Sequence, residues 1–166
     1  MITYFATIKS PVGLLTCVMK NNALEGVYFE REPDESKVLS SNWTKSKTEL
    51  ATVREQLTEY FAGSRQQFKL PLHSEGTPFR EKVWAKLRTI PYGVTWSYGE
   101  LARKIGDPKA SRAVGLANGR NPIAIVVPCH RVIGANGTLT GFGGGIERKK
   151  WLLEFEARTS GKVLKF

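Results

Sequence analysis

Cysteine and histidine are scarce in this chain, with 2 of each in 166 residues, and they show no short spacing of the kind a structural zinc site uses. A disulfide scaffold is excluded too. Cys17 and Cys129 lie far apart in the chain, which suits a reducing compartment better than a cross-linked framework. Long hydrophobic runs are also missing. The longest, Ile123 to Val127, is bounded by Pro122 and Pro128 and falls far short of the ~20 residues a bilayer span needs. The opening Met1-Ile2-Thr3-Tyr4 lacks the basic flank and continuous apolar stretch of a signal peptide, so a cytoplasmic protein with no membrane partner is expected. Glycine is plentiful around Gly141-Phe142-Gly143-Gly144-Gly145, but the Gly-Lys-Ser/Thr ending of a phosphate-cradling loop is absent. No metal and no cofactor are expected.

What is present is an ordinary globular composition, 41% apolar and 24% charged, with a net charge of +10. The charge is unevenly spread. Residues 1–76 hold 9 basic and 9 acidic side chains, whereas residues 77–166 hold 16 and 6. The whole excess lies in the C-terminal part, where a polyanion would bind, and nucleic acid is the favoured partner class.

Two domains are expected, 1–76 including a linker from Arg65 to Gly76, and 77–166. In the first, Ile2 to Ile8, Leu14 to Met19 and Leu24 to Phe29 alternate apolar and polar residues between turn signals, which predicts an antiparallel meander. Glu30 to Lys47 reads as a loop with some helix. Ser46 and Glu49 form a capping-box pattern, and Leu50, Val53, Leu57, Tyr60 and Phe61 recur at helical spacing up to Gly63. In the second, Thr77-Pro78 opens a helix lined by Phe79, Val83, Trp84, Leu87 and Ile90. Ser97 and Glu100 open another, and a Gly106-Asp107-Pro108 turn leads to a third, from Lys109 to about Gly119. Two helices joined this way in the basic half match a helix-turn-helix signature. The third helix carries Ala110, Ser111, Ala113, Gly115, Ala117 and Gly119, small residues that let a backbone approach another molecule closely, with Arg112 projecting among them. The fold class is therefore α+β: an antiparallel-sheet domain followed by a mainly helical one.

The chemistry converges on Cys129. Pro128 ends the apolar run so that the cysteine emerges at the edge of the core, beside the potential cations His130 and Arg131. A free thiol is only a few per cent thiolate at neutral pH, so a nucleophilic cysteine needs a base or cationic neighbours. In extended chain His130 and Cys129 point apart, so contact through a water is expected rather than a direct bond. A final helix from Ile146 to about Ala157 places Ile146, Trp151, Leu152, Leu153 and Phe155 on an apolar arc, with Glu156 inside it. A carboxylate there needs a partner, and His130 or a structural arginine would serve. Cys17, in a strand of the neutral half, reads as a core filler. These residues alone leave open a thiol enzyme, such as a hydrolase using Cys129, His130 and Glu156, and a non-catalytic binding module.

Five ordered motifs narrow the choice: Thr77-Pro78-Phe79 with Val83-Trp84, Tyr98-Gly99-Glu100-Leu101-Ala102, Ser111-Arg112-Ala113-Val114-Gly115, Asn121-Pro122, and Pro128-Cys129-His130-Arg131-Val132. Together they resemble the O6-alkylguanine-DNA alkyltransferase family over essentially all of residues 77–166. Residues 1–72 are similar to that family's ribonuclease-H-like N-terminal domain in pattern and length.

The resemblance implies direct repair: duplex DNA is bound, an O6-alkylguanine is turned out of the stack, and its alkyl group moves irreversibly to Cys129, with O4-alkylthymine a further possible substrate. His130 matches the residue that deprotonates the thiol through a water, Glu156 the carboxylate that orients it, and Asn121 the support of the active-site turn. Arg112 matches the finger that fills the vacated place in the stack, within a DNA-facing helix that includes Ser111, Ala113 and Gly115. Tyr98 matches the tyrosine that helps rotate the nucleotide and contacts the base, in a pocket expected to include Val132, Phe142 and Gly143. Phe142 stands where many members have tyrosine. A single-use, self-inactivating transferase is implied, acting as a monomer, with cooperativity on DNA left open.

Overall fold

The computed structural model describes residues 1–30, 41–140 and 142–161. The chain divides into two compact units, Met1–Ser74 and Glu75–Phe166. In the first, β1 (Thr3–Ser10), β2 (Gly13–Lys20) and β3 (Ala23–Phe29) form the expected antiparallel meander. Asn21 and Asn22 both take positive φ, 54° and 60°, the conformation a tight hairpin turn demands. The alternation in the sequence becomes burial of Ala6, Ile8, Leu15, Cys17, Leu24 and Val27.

A fourth strand, β4 (Trp43–Lys45), runs parallel to β1 and completes the order β3-β2-β1-β4. The loop expected for Glu30 to Lys47 therefore ends in a strand; its residues 31–40 lie outside the described part. The helix that follows, α1 (Ala51–Phe61), buries Val53, Leu57 and Tyr60. Ser46 Oγ does accept from the Glu49 amide at 3.2 Å, but this bond closes a turn ahead of the helix, whose own first position follows Leu50. The stretch read as a linker from Arg65 also differs. Lys69 exchanges two hydrogen bonds with the Gln56 amide, at 2.9 and 3.0 Å, and Leu24 is bonded on both sides by Pro71 and His73. Those backbone groups bind the segment to the first unit as far as His73.

The second unit is built on helices. Thr77 caps α2 (Pro78–Leu87), accepting from the Arg80 amide at 3.2 Å with Pro78 at the first position. Ser97 and Glu100 make both bonds of a capping box at the start of α3 (Tyr98–Lys104). Gly106, at φ 84°, ends it and leads through Asp107 to α4 (Ser111–Gly119), so the helix-turn-helix expected from the spacing is formed, with α4 two residues shorter at its start than Lys109 implied. Trp84 Nε1 donates to the Ala117 carbonyl at 2.8 Å and fastens α4 to α2. The run Ile123 to Val127 is a buried set of turns rather than a strand, and Ile125 sits at φ 71°, costly for a β-branched residue. A two-residue parallel pairing, absent from the sequence reading, joins β5 (Trp96–Ser97) to β6 (Val132–Ile133). The last helix, α5 (Ile146–Ser160), runs three residues beyond the predicted end and stops at Gly161, φ 73°. Among the described residues no helix is long and apolar enough to cross a membrane.

Candidate active site

Cys129, His130 and Arg131 form a single 3-10 turn between Pro128 and β6. This compact turn, rather than an extended chain, decides where the three side chains go. All three are buried, at 5%, 0% and 6% exposure. β5 and β6 hold the exit of the turn beside the start of α3, which places Tyr98 near the cysteine. Asn121 braces its entry: the side-chain amide donates to the Val127 carbonyl at 2.9 Å while its oxygen accepts from the Ile123 amide at 3.0 Å.

Glu156 projects from the buried face of α5 into this turn. Its Oε2 lies 2.7 Å from His130 Nε2, and Arg131 grips the same carboxylate with Nε to Oε1 at 2.8 Å and Nη2 to Oε2 at 3.1 Å. Both partners that the sequence left as alternatives, the histidine and an arginine, are therefore present at once. Burial alone raises a carboxyl's pKa; here His130 and Arg131 outweigh it and hold Glu156 well below the usual carboxylate range. An ionised Glu156 fixes the proton of His130 on Nε2, which leaves Nδ1 as the basic nitrogen, buried and with no hydrogen-bond partner among the described residues. Burial lowers the His130 pKa despite the carboxylate, so the ring is neutral at physiological pH.

Arg131 is not the cation of the thiol. Its third nitrogen, Nη1, donates to the Ile90 carbonyl at 2.7 Å, and its guanidinium lies 5.5 Å over the Tyr92 ring. The cation that acts on Cys129 is Lys149, which the sequence reading missed. Lys149 is fully buried; Nζ donates to the Val132 carbonyl and, at 2.9 Å, to the Thr140 carbonyl. It lies 5.8 Å from the centre of the Tyr98 ring. Burial lowers its pKa to about 8. The signal was available: Lys149, Leu152, Leu153 and Glu156 stand at i, i+3, i+4 and i+7, one face of α5. Ile146, assigned to that face, is instead 44% exposed.

Burial pushes the Cys129 thiol up, against the Asn121 side chain, Lys149 and nearby backbone amides, all of which favour the thiolate. The resting sulfur is thus a thiol, not the preformed anion that flanking cations would suggest. Cys17, fully buried and pushed up to about 12, is inert.

The remaining predicted residues fall on two surfaces. Tyr98 is half-buried, donates to the Thr140 carbonyl at 2.8 Å, and is raised in pKa chiefly by burial. Gly115 faces it: a Cβ there would meet the Tyr98 ring at 3.7 Å. Val132 is buried, Phe142 half-buried and Gly143 exposed, with a Cβ on Gly143 falling 3.5 Å from the Gly119 carbonyl. On the outer face of α4, Arg112 and Ala113 are exposed and Ser111 half-buried, continued by exposed Leu116 and Arg120. Asn118, also unforeseen, is buried and donates to the Cys129 carbonyl at 3.2 Å, so one helix carries the outer basic face and a contact to the reactive residue.

The family description "6-O-methylguanine DNA methyltransferase, DNA binding domain" matches residues 78–158, and "6-O-methylguanine DNA methyltransferase, ribonuclease-like domain" matches residues 3–74. A methylated-DNA–protein-cysteine methyltransferase of Mycolicibacterium paratuberculosis is 51% identical over 160 residues, 96% of this chain and 95% of that protein. The crystal structure of Mycobacterium tuberculosis O6-methylguanine methyltransferase superposes with a TM-score of 0.88 at 48% identity, covering 95% of this chain and 94% of that one. A structure of the Mycobacterium tuberculosis protein in complex with DNA gives 0.87, also at 48% identity, with 94% of each chain covered. With both domain types matched in order and the reactive turn, its carboxylate and the helix pair all in place, the chain belongs to the methylated-DNA–protein-cysteine methyltransferase family.

Proposed function

We propose that this protein repairs O6-alkylguanine in duplex DNA by transferring the alkyl group to Cys129 Sγ. The observation that carries the reading is the buried His130 ring next to Cys129 in the turn, with Nε2 committed to Glu156 at 2.7 Å so that Nδ1 is the basic nitrogen. It is the base in the turn able to take the thiol proton through a bridging water, and Glu156 stabilises the imidazolium that results. Sγ then attacks the alkyl carbon, the S–C bond forms, and the C–O bond breaks with its electron pair leaving on the purine. The purine recovers a proton and departs as guanine. Proton removal has to accompany substrate binding, because burial disfavours a standing thiolate in the free protein.

The base reaches this buried sulfur by leaving the stack, a cost of a few kcal/mol that is least for a damaged pair. Arg112, exposed on α4 with Ser111 and Ala113 beside it, is assigned to the vacated place and the adjacent backbone. Tyr98 with Gly115 behind its ring, Val132, Phe142 and Gly143 are assigned to the base pocket, and Asn121 to the support of the turn. A thioether is a poor leaving group, so each molecule acts once, and the alkyl group comes from the DNA itself without a cofactor.

Intact mass measured after mixing with excess O6-methylguanine duplex tests this. One methyl is expected on Cys129 and no more. Continued turnover, or transfer surviving Cys129→Ser, would overturn the assignment.

A further inference from the structure

The loop between α2 and β5 meets the end of α5 at Tyr92, a side chain that the proton transfer does not use. Arg131 reaches this loop twice: Nη1 donates to the Ile90 carbonyl at 2.7 Å, and the guanidinium lies 5.5 Å over the Tyr92 ring. Tyr92 is 8% exposed, and its hydroxyl is hydrogen-bonded to Thr159 Oγ1 in the last turn of α5. The direction of that bond follows from counting hydrogens. Thr159 Oγ1 has one to give and donates it to the Phe155 carbonyl at 2.8 Å, so towards Tyr92 it accepts. The phenol is the donor, and burial, which raises its pKa, keeps the proton on it.

Tyr92 therefore holds both partners of the Arg131–Glu156 pair. Its ring face supports the guanidinium, and its hydroxyl is tied through Thr159 to the helical turn that begins at Phe155, the residue before Glu156. The carboxylate in turn sets the His130 ring through the 2.7 Å bond to Nε2. A base has to be aimed to act, and a misplacement of about 1 Å costs on the order of a hundredfold in rate. We propose that Tyr92 is a positioning residue for alkyl transfer: it clamps Arg131 and the end of α5 so that Glu156 keeps His130 aimed at Cys129. This rests on the alkyl-transfer reading above and extends it to a loop outside the reactive turn. Besides the Cys129 thiol beside it in the turn, the charged groups that face His130 are Glu156, which favours the imidazolium, and Arg131 and Lys149, which oppose it; Tyr92 faces Glu156 and Arg131. A guanidinium loosened from the Tyr92 ring offsets Glu156 less, so His130 keeps its proton to higher pH and the acid limb of the rate profile moves up.

The test follows the rate of benzyl mass gain on Cys129 from free O6-benzylguanine between about pH 5 and about pH 9. Tyr92→Leu, which removes ring and hydroxyl, should slow transfer about tenfold or more at neutral pH and move the acid limb up by roughly half a pH unit or more. Tyr92→Phe keeps the ring over Arg131 and loses the bond to Thr159, so it should be slower by about fivefold with the limb in place. Thr159→Val should match Tyr92→Phe, and the two changes combined should be no slower than either alone, because they break the same bond. Should Tyr92→Leu fail to fold, Tyr92→Phe, Thr159→Val and their combination decide the question. A folded Tyr92→Leu protein with the wild-type profile, unchanged rates in Tyr92→Phe and Thr159→Val, or losses that multiply when those two are combined, would remove this inference alone. No mass gain in the wild type from the free base or from alkylated duplex would remove the transfer reaction itself.

Discussion

Glu156 is the residue on which the reactive turn depends most, because it holds the His130 ring and the buried Arg131 cation at once. Glu156→Gln leaves the Arg131 guanidinium, 6% exposed, without its counter-charge. Breaking a buried pair from one side costs about 3–5 kcal/mol. Chemical denaturation should register that loss, and thiol alkylation should slow in parallel as His130 loses its anchor. Lys149 gives a prediction of opposite sign. Its pKa is lowered to about 8 in the folded protein from an ordinary value near 10.5, so between those values the unfolded chain binds the extra proton. Lys149 should therefore contribute a rise in stability with pH from about 8 towards about 10, read as the difference between wild type and Lys149→Met in denaturant titrations, because the raised thiols of Cys17 and Cys129 act in the opposite sense in both proteins. Cys129, His130 and Glu156 were legible in sequence because a motif and a helical face expose them. Lys149 escaped because a lysine is read as solvent-facing unless its place on the i, i+3, i+4, i+7 face is counted. Arg131 was read towards the thiol because an extended chain was assumed, and the 3-10 turn rotates it onto Glu156.

Among the elements, α4 is where binding and chemistry can be separated by mutation. Arg112 is exposed on the outer face, while Asn118 and Ala117 on the inner face contact Cys129 and Trp84. On the role proposed for Arg112, Arg112→Ala should lower alkyl transfer from duplex on the order of 10- to 100-fold. Transfer from free O6-benzylguanine should be unchanged; an equal fall in both would take Arg112 out of the extrusion step. α2 and α3 were readable because their ends are written in side chains: Thr77-Pro78, Ser97 with Glu100, and Gly106 each do what capping chemistry requires, whereas α1, α4 and α5 start without a side-chain cap. β4, β5 and β6 were not, since two- and three-residue parallel pairings are too short to carry a periodic pattern and arise from what lies beside them. The bonds from Lys69, Pro71 and His73 were invisible for a related reason, being made by backbone groups whose partners lie far off in sequence.

At the scale of the whole molecule the governing quantity is charge. The excess of 16 basic over 6 acidic residues in 77–166 includes Arg103, Lys104, Lys109, Arg112 and Arg120, all exposed on or next to the helix pair. Neutralising phosphates with such side chains releases counterions, so duplex affinity should fall linearly in a double-logarithmic plot against salt. Between 50 and 200 mM the loss should be on the order of tenfold to a thousandfold if a few phosphates are engaged. A fluorescence titration at several salt concentrations checks this, and a flat plot would move the duplex off the basic face.

The tight enclosure of the cysteine sulfur also bears on the fate of the protein once it has reacted. Cys129 is 5% exposed, so a methyl joined to it adds volume to the buried turn, and overpacking an interior typically costs about 1–3 kcal/mol. Against the narrow margin by which domains stay folded, that is a large fraction. Spent copies should open more readily than fresh ones and offer themselves first to proteolysis, so that the surviving pool consists mainly of molecules still able to react.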